Sequence, residues 1–368
     1  MKLHSLFLAW ISSFLCCSHA FTLLGDSRTA FSNSRPIESP TTSRRKTAAT
    51  AIFSYCNGST KSLSLQIDDS DEVLLNDEDS DEILHHESLD IPKEVASISV
   101  ICESENVLAI HKPPNIAHHN DETTMGIVTC VRYLQSIDKI GYKGRIYSVH
   151  RLDKPTSGIL LFAKSPQVAQ ELTKAFREKT AVKYYVALSN KKPKKKKQGW
   201  VKGDMVQSRR KTWKLTNSMK NAAISRFYTS GLGNCEFNID PTTWDHWSNS
   251  FDVPNTSSDD MKPLLPKTLL LFRPHTGQTH QLRVAAKSLG LGILGDILYS
   301  DSTEAKTMDR MFLHAIAIHV ELEHESIVVY DPPTSWFGKN GTSNGIENVL
   351  TTIMKKHCED EKISSCLQ

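Results

Sequence analysis

The stretch IYSVHRLDKPTSGILLF, residues 146–162, decides how this chain folds. Its flanks, residues 146–149 and 159–162, are short apolar runs rich in β-prone side chains and are predicted strands. Residues 150–158 between them are polar, with Pro155 and Gly158 to fix the backbone, and are predicted to form a loop. One acid, Asp153, stands in that loop among His150, Arg151 and Lys154. A neighbouring positive charge favours the ionised form of a carboxylate, so such a loop can hold an acid ready as a nucleophile at neutral pH. Taken alone, the string reads more readily as a strand connection whose Asp caps a turn and pairs with Arg151 at the surface. Spacing alone does not decide between the two.

Outward from this loop the chain alternates strands and helices without a regular repeat. Residues 98–102 and 107–111 predict a hairpin that Lys112-Pro113-Pro114-Asn115 terminates. Residues 124–135 carry Ile127, Val128, Val131 and Leu134 at helical spacing, and residues 166–179 carry Val168, Leu172 and Phe176 on one face after the cap residue Ser165. Strands are predicted at 182–188, 269–272, 312–322 and 327–330, and a helix at 280–289. Grouped strands with interspersed helices favour an α+β body, a mixed and mainly antiparallel central sheet with flanking helices and loops. Tyr184 and Tyr185 alternate across their strand, so one of the two faces inward.

The 368 residues, 39% of them hydrophobic, are enough for one catalytic body, expected at 95–337, because the first ninety do not read as core. Residues 1–20 look like a signal peptide, with Lys2 ahead of an apolar run too short to cross a bilayer as a helix. Residues 21–60 have the Ser, Thr and Arg content of a transit peptide, and 61–94 read as an acidic disordered linker. The tandem presequence predicts a plastid address, with mitochondrion or secretion as alternatives. Residues 338–368 read as a tail with at most one short helix, near 348–356. The eight cysteines show no CxxC pair and read as free thiols. No P-loop or HExxH is present, and His275, His280, His314 and His319 lack metal-ligand spacing, so neither cofactor nor metal is expected. The pairs His85-His86 and His118-His119 are expected to be exposed.

Four ordered motifs carry a resemblance. His150 to Gly158 matches the HRLDxxTSG signature of RluA-type pseudouridine synthases. Upstream, Val107 to Pro114 resembles that family's strand-then-NKPxG entrance. Downstream, Lys183-Tyr184-Tyr185-Val186-Ala187 matches its KxYxA strand, and Arg273 to Arg283 matches PxTGRTHQIR, followed by Gly290 to Tyr299 as the GHPIxGDxxY ending. The resemblance spans about residues 97–335 and implies a pseudouridine synthase-like fold that isomerises uridine in RNA. It implies Asp153 as the attacking carboxylate, Tyr185 stacked on the base and available to remove the C5 proton, and Arg283 paired with the acid. It further implies Leu282 packed on the base, Arg151 filling the space left by a flipped nucleotide, and His150, Lys183 and Gln281 as substrate contacts. Four positions depart from the pattern: Gln278 replaces an Arg, Ala285-Ala286 replace an expected continuation, and Asn115 replaces a Gly.

The net charge of +3 is too small to argue for nucleic acid, but its distribution is informative. Lys191 to Lys197, Lys202, Arg209, Arg210, Lys211 and Lys214, with Trp200 and Trp213 between them, can neutralise phosphates or form a solvated loop. Its place just after the Tyr185 strand favours RNA contact through Lys194, Lys195, Lys196, Arg209 and Arg210. The expected partner is tRNA or rRNA, met by a monomer free of membrane. The alternative is a non-catalytic assembly factor on the same scaffold.

Overall fold

A computed structural model of the protein describes residues 49–53, 89–194, 196–209, 212–233, 266–301, 305–306, 308–336 and 345–367. The expected signal peptide, most of the transit-like segment and linker, and the polar stretch after Asp240 lie outside the described residues. Among the described residues no helix is long and apolar enough to cross a membrane, and Cys102, Cys130, Cys358 and Cys366 are free thiols.

The strands are β1 (Ala49–Phe53), β2 (Ser99–Glu103), β3 (Val107–Lys112), β4 (Tyr147–Ser148), β5 (Ser157–Ala163), β6 (Val182–Ser189), β7 (Gln198–Gln207), β8 (Trp213–Leu215), β9 (Ala222–Gly231), β10 (Thr268–Pro274), β11 (Leu313–Glu321) and β12 (Glu325–Tyr330). The helices are α1 (Ile127–Ser136), α2 (Pro166–Arg177), α3 (Gln281–Ser288), α4 (Ile346–His357) and α5 (Glu361–Ser365). The strands run in the order β2-β3-β5-β11-β6-β10-β9-β7-β8, with β4 beside β5 and with β12 beside β11 and β1. Only β5 with β11 and β1 with β12 pair in parallel among the described strands, so the sheet is mixed and mainly antiparallel. β1 falls inside the segment expected to be transit-like.

Register builds the site. Tyr185 on β6 lies opposite Ala315 on β11, and Ala315 lies opposite Gly158 on β5, so the end of the Asp153 loop comes two strands from Tyr185. The β5–β11 seam is short, pairing His314 with Ser157 and Ala315 with Gly158. Gly158 has φ of 112°, and a Cβ there would stand 2.3 Å from the Ala315 carbonyl oxygen, so only glycine fits. Asn115, at the departure from the family's glycine, takes φ of 70°, a left-handed conformation that asparagine tolerates. The Ser165 hydroxyl accepts from the Val168 N–H and starts α2, as the sequence predicts.

The two faces of the sheet are covered differently. Leu160 and Phe162 pack with α1, and Ile159 and Leu161 pack with Leu172 of α2. Phe227, Leu270 and Phe272 receive Leu282, Ala285 and Ala286 of α3, so the departure at Ala285-Ala286 is absorbed by close packing. Tyr184, Val186 and Leu271 on the other face receive Leu350, Ile353 and Met354 of α4 and Ile363 of α5. The tail therefore holds two helices, a correction to the expected single short one. Part of the basic segment is strand, with Lys202 in β7 and Lys214 in β8. Its polar alternation and Gly199 and Gly203 hide that from a periodicity reading.

Candidate active site

A cleft of about 650 Å³ opens where the Asp153 loop, β6, the end of α2 and the start of α3 converge. Of the residues singled out from the sequence, His150, Arg151, Asp153, Lys183, Tyr185, Gln281, Leu282 and Arg283 all line it. Lys194, Lys196 and Arg209 are exposed and do not line it, while Lys195 and Arg210 lie outside the described residues. The basic hairpin instead reaches the site at its end. The Trp213 N–H donates to the Tyr299 hydroxyl at 2.9 Å, that hydroxyl bonds His280 Nδ1 at 2.8 Å, and the Arg283 guanidinium lies 5.0 Å from the Tyr299 ring centroid.

Arg283 does not behave as the solvated charge that its place on a helix suggests. It is 4% exposed, and it grips Asp296 with two hydrogen bonds, Nε to Oδ2 at 2.9 Å and Nη2 to Oδ1 at 2.8 Å. Its Nη1 reaches the Asp153 Oδ2 at 3.5 Å. Burial opposes the charge, but the bonds and charge of Asp296, with Asp153 behind them, outweigh it and hold the guanidinium above its ordinary pKa. Asp296 also accepts from the Leu298 and Tyr299 N–H groups. The sequence offered one signal for it, the GD pair inside the family's ending, but no reason to pair it with an arginine thirteen residues earlier.

The Asp153 loop is fixed from beneath. Lys112 is fully buried, and its ammonium donates to the carbonyls of Pro113 at 3.0 Å, Lys154 at 3.1 Å and Thr156 at 2.9 Å. Three donors meet three acceptors, two of them in the loop itself. Burial pushes this lysine down to about 7, and the Asp153 charge acts against that shift. At the far end of the loop the Ser157 hydroxyl bonds His314 Nδ1 at 3.0 Å and receives Arg310 Nη2 at 2.6 Å.

Tyr185 faces the cleft, and Tyr184 is buried on the opposite face. Burial, and then the Asp153 charge, pushes the Tyr185 phenol well above its ordinary range, which keeps it protonated. His150 is pushed down to about 3 by burial and then by Lys183, and its Nε2 accepts from the Leu161 N–H at 3.0 Å, so it is a neutral imidazole. His118, expected at the surface, is 6% exposed and lines the cleft; burial, then His119, pushes it down to about 3. Gln281 lines the cleft but spends its amide internally. Its Oε1 accepts from Thr276 and the Gln278 N–H, and its Nε2 donates to Ile224 and Ser225. It holds the strand-to-helix turn and offers no free amide to a substrate. Gln278 bonds the Asn221 carbonyl at 2.8 Å.

One group of described residues, His111, His314 and Asp331, gathers its ligand atoms within 4.8 Å, a juxtaposition that sequence spacing did not reveal. Those atoms are already engaged. His111 Nδ1 bonds the Asp331 Oδ2 at 2.7 Å, and His314 Nε2 bonds the Asp331 carbonyl at 2.7 Å. Burial opposes the Asp331 charge, but the two histidines outweigh it and hold the carboxyl far below its ordinary range. The set therefore reads as a bonded network behind Ser157.

The chain is similar to known proteins. The family model described as RNA pseudouridylate synthase matches residues 106–288. An uncharacterized RNA pseudouridine synthase of Haemophilus influenzae is 36% identical over 232 residues, covering 63% of this chain and 86% of its own. The ribosomal large subunit pseudouridine synthase C of Rickettsia typhi is 29% identical, covering 72% and 78%. The tRNA pseudouridine(31) synthase of Saccharomyces cerevisiae is 29% identical, covering 58% and 49%. With its motifs in order, its α+β sheet as expected and a relative matched over most of that relative's length, this chain belongs to the RluA-type RNA pseudouridine synthases, enzymes that isomerise uridine within RNA.

Proposed function

We propose that this protein converts specific uridines of a tRNA or rRNA to pseudouridine with the Asp153 carboxylate as nucleophile. The reading rests on one observation: Asp153, the Arg283 guanidinium and the Tyr185 ring face a common cleft in which Asp153 is the one carboxylate among the lining residues. The target nucleotide leaves its stack, a flip that costs a few kcal/mol, and Arg151 fills the space it vacates. Asp153 attacks the ribose or the base, and the C1′–N1 bond breaks. Uracil turns in the pocket, C5 bonds to C1′, and the bond that Asp153 had formed breaks, which frees its carboxylate. The C5 proton departs and N1 takes one up, so atoms and charge balance with no oxidant or second substrate.

Arg283, held by Asp296, orients the carboxylate. Tyr185 stacks on the base, and its protonated phenol suits it to donate a hydrogen bond better than to act as a base. Leu282 packs against the uracil. Two named relatives act on ribosomal RNA and on tRNA respectively, and the choice between these lies in RNA shape. The enzyme works as a monomer, and we place it in the plastid on the composition of residues 1–60. A fluorescent fusion of that segment that stays in the cytosol or is secreted rules the address out.

The test is tritium release from RNA labelled at uridine C5. Wild-type protein releases it and Asp153→Ala does not; release that persists in the variant overturns the assignment of Asp153.

A further inference from the structure

The cleft extends past Asp153 along the C-terminal half of α2, and this wall has no part in the reaction as described. Thr173, Phe176 and Arg177 of α2 line it, facing Lys183 of β6. The wall is cationic without compensation. Arg283 is neutralised by Asp296 and Asp153, but no described carboxylate pairs with Arg177 or Lys183, and no acid other than Asp153 lines the cleft. The Lys183 ammonium lies 5.2 Å from the Phe176 ring centroid, and burial draws its pKa below the ordinary value, a cost that a bound anion offsets. A third group points the same way. The Thr173 hydroxyl oxygen is buried and has no hydrogen-bond partner, and such groups in proteins are normally satisfied. His150, stacked at 4.7 Å on Phe176, is neutral and adds no charge of either sign.

We propose that Thr173, Arg177 and Lys183 form a phosphodiester subsite, which takes the backbone phosphate of a nucleotide neighbouring the target uridine. The inference rests on the reading of the cleft as the uridine site. The chemistry fits a singly charged tetrahedral group: a guanidinium fork and an ammonium supply charge-assisted hydrogen bonds, and a hydroxyl supplies a neutral one. Phosphate contacts of this kind position a strand without reading its sequence. The subsite thus fixes where the strand enters, while the pocket around Asp153 handles the base.

The test pairs protein variants with RNA in which single phosphates around the labelled uridine are replaced, one at a time, by neutral methylphosphonates. Arg177→Gln, Lys183→Met and Thr173→Val are each measured for Kd against salt and for steady-state turnover, with melting checked beside them. Arg177→Gln is expected to raise Kd and KM roughly 10-fold, with the loss in KM exceeding that in kcat. It should also flatten the slope of log K against log salt by about 0.7. One methylphosphonate position should weaken wild-type binding by a similar factor and leave Arg177→Gln indifferent, the mark of a shared contact. Unchanged Kd and slope in both Arg177→Gln and Lys183→Met overturn the subsite, and so do losses that simply multiply with every methylphosphonate. Binding is read separately from turnover. Wild-type protein that binds with this pattern but releases no tritium thus contradicts the isomerase reading and not the subsite.

Discussion

Tyr184 and Tyr185 are consecutive on β6 and live in opposite worlds. Tyr184 is fully buried on the face covered by α4 and α5, where its hydroxyl oxygen accepts from the Glu359 N–H at 2.8 Å. Around it Glu359 binds Tyr228 and Arg273, so the polar groups of that face are spent on one another. Tyr185 borders a cleft whose cations outnumber its single acid. One strand thus separates a face that stabilises from a face that keeps its polar groups for something else. Substitutions should divide along the same line.

The largest departure is expected where the division is crossed. Arg283→Met leaves Asp296, which is 1% exposed, buried without its cation, and should destabilise the protein by about 3–5 kcal/mol while removing activity. Adding Asp296→Leu should return much of the stability and none of the turnover; a single variant that melts like wild type breaks the comparison. Next, Leu350→Ala on the rear face should cost about 2–5 kcal/mol in urea unfolding, with tritium release per folded molecule unaltered.

Lys112 sharpens the contrast through pH. Asp153, Arg310, Cys130 and Glu94 are the charged or titratable groups that act on it. Below about 7 its ammonium holds all three carbonyls, and above about 7 it loses one donor, so the rate should fall as pH rises through that value. Stability should move the other way. The unfolded lysine keeps its proton up to its ordinary pKa, so between about 7 and that value the unfolded state binds more protons and this residue's contribution to stability grows with pH. A pH–rate profile with no alkaline limb, or one unaltered in Lys112→Met, removes the clamp from the account. The smallest effect belongs to Tyr184→Phe, about 1 kcal/mol of stability with turnover intact, measured by thermal melting beside an activity assay.

The loop and its strands were legible because local rules and the family motifs agreed there: apolar runs on each side, proline and glycine between, and a serine cap where α2 begins. Arg283, Tyr185 and Asp153 were legible as types in a pattern; register across β5, β11 and β6 brings the last two together, and α3, which follows β10, adds Arg283. What stayed hidden depends on partners distant in sequence. Lys112 looks like a strand-end lysine until the carbonyls of Lys154 and Thr156 close on it. Gln281 looks like a substrate contact until Ile224 and Ser225 claim its amide. The strands β7 to β9 carry a polar alternation that gives no core signal, and the tail helices declare themselves only against the apolar face that they cover.

The short seam between β5 and β11 has a mechanical consequence. On one side stand the hairpin, α1 and the Asp153 loop; on the other stand Tyr185 and Arg283, and the strands themselves join through little more than Ser157 with His314 and Gly158 with Ala315. With so few backbone pairs at the seam, the spacing between the Asp153 loop and Tyr185 depends on how closely Gly158 approaches Ala315. A methyl group at Gly158 would meet the Ala315 carbonyl oxygen at 2.3 Å and force the two strands, and with them the carboxylate and the ring, apart.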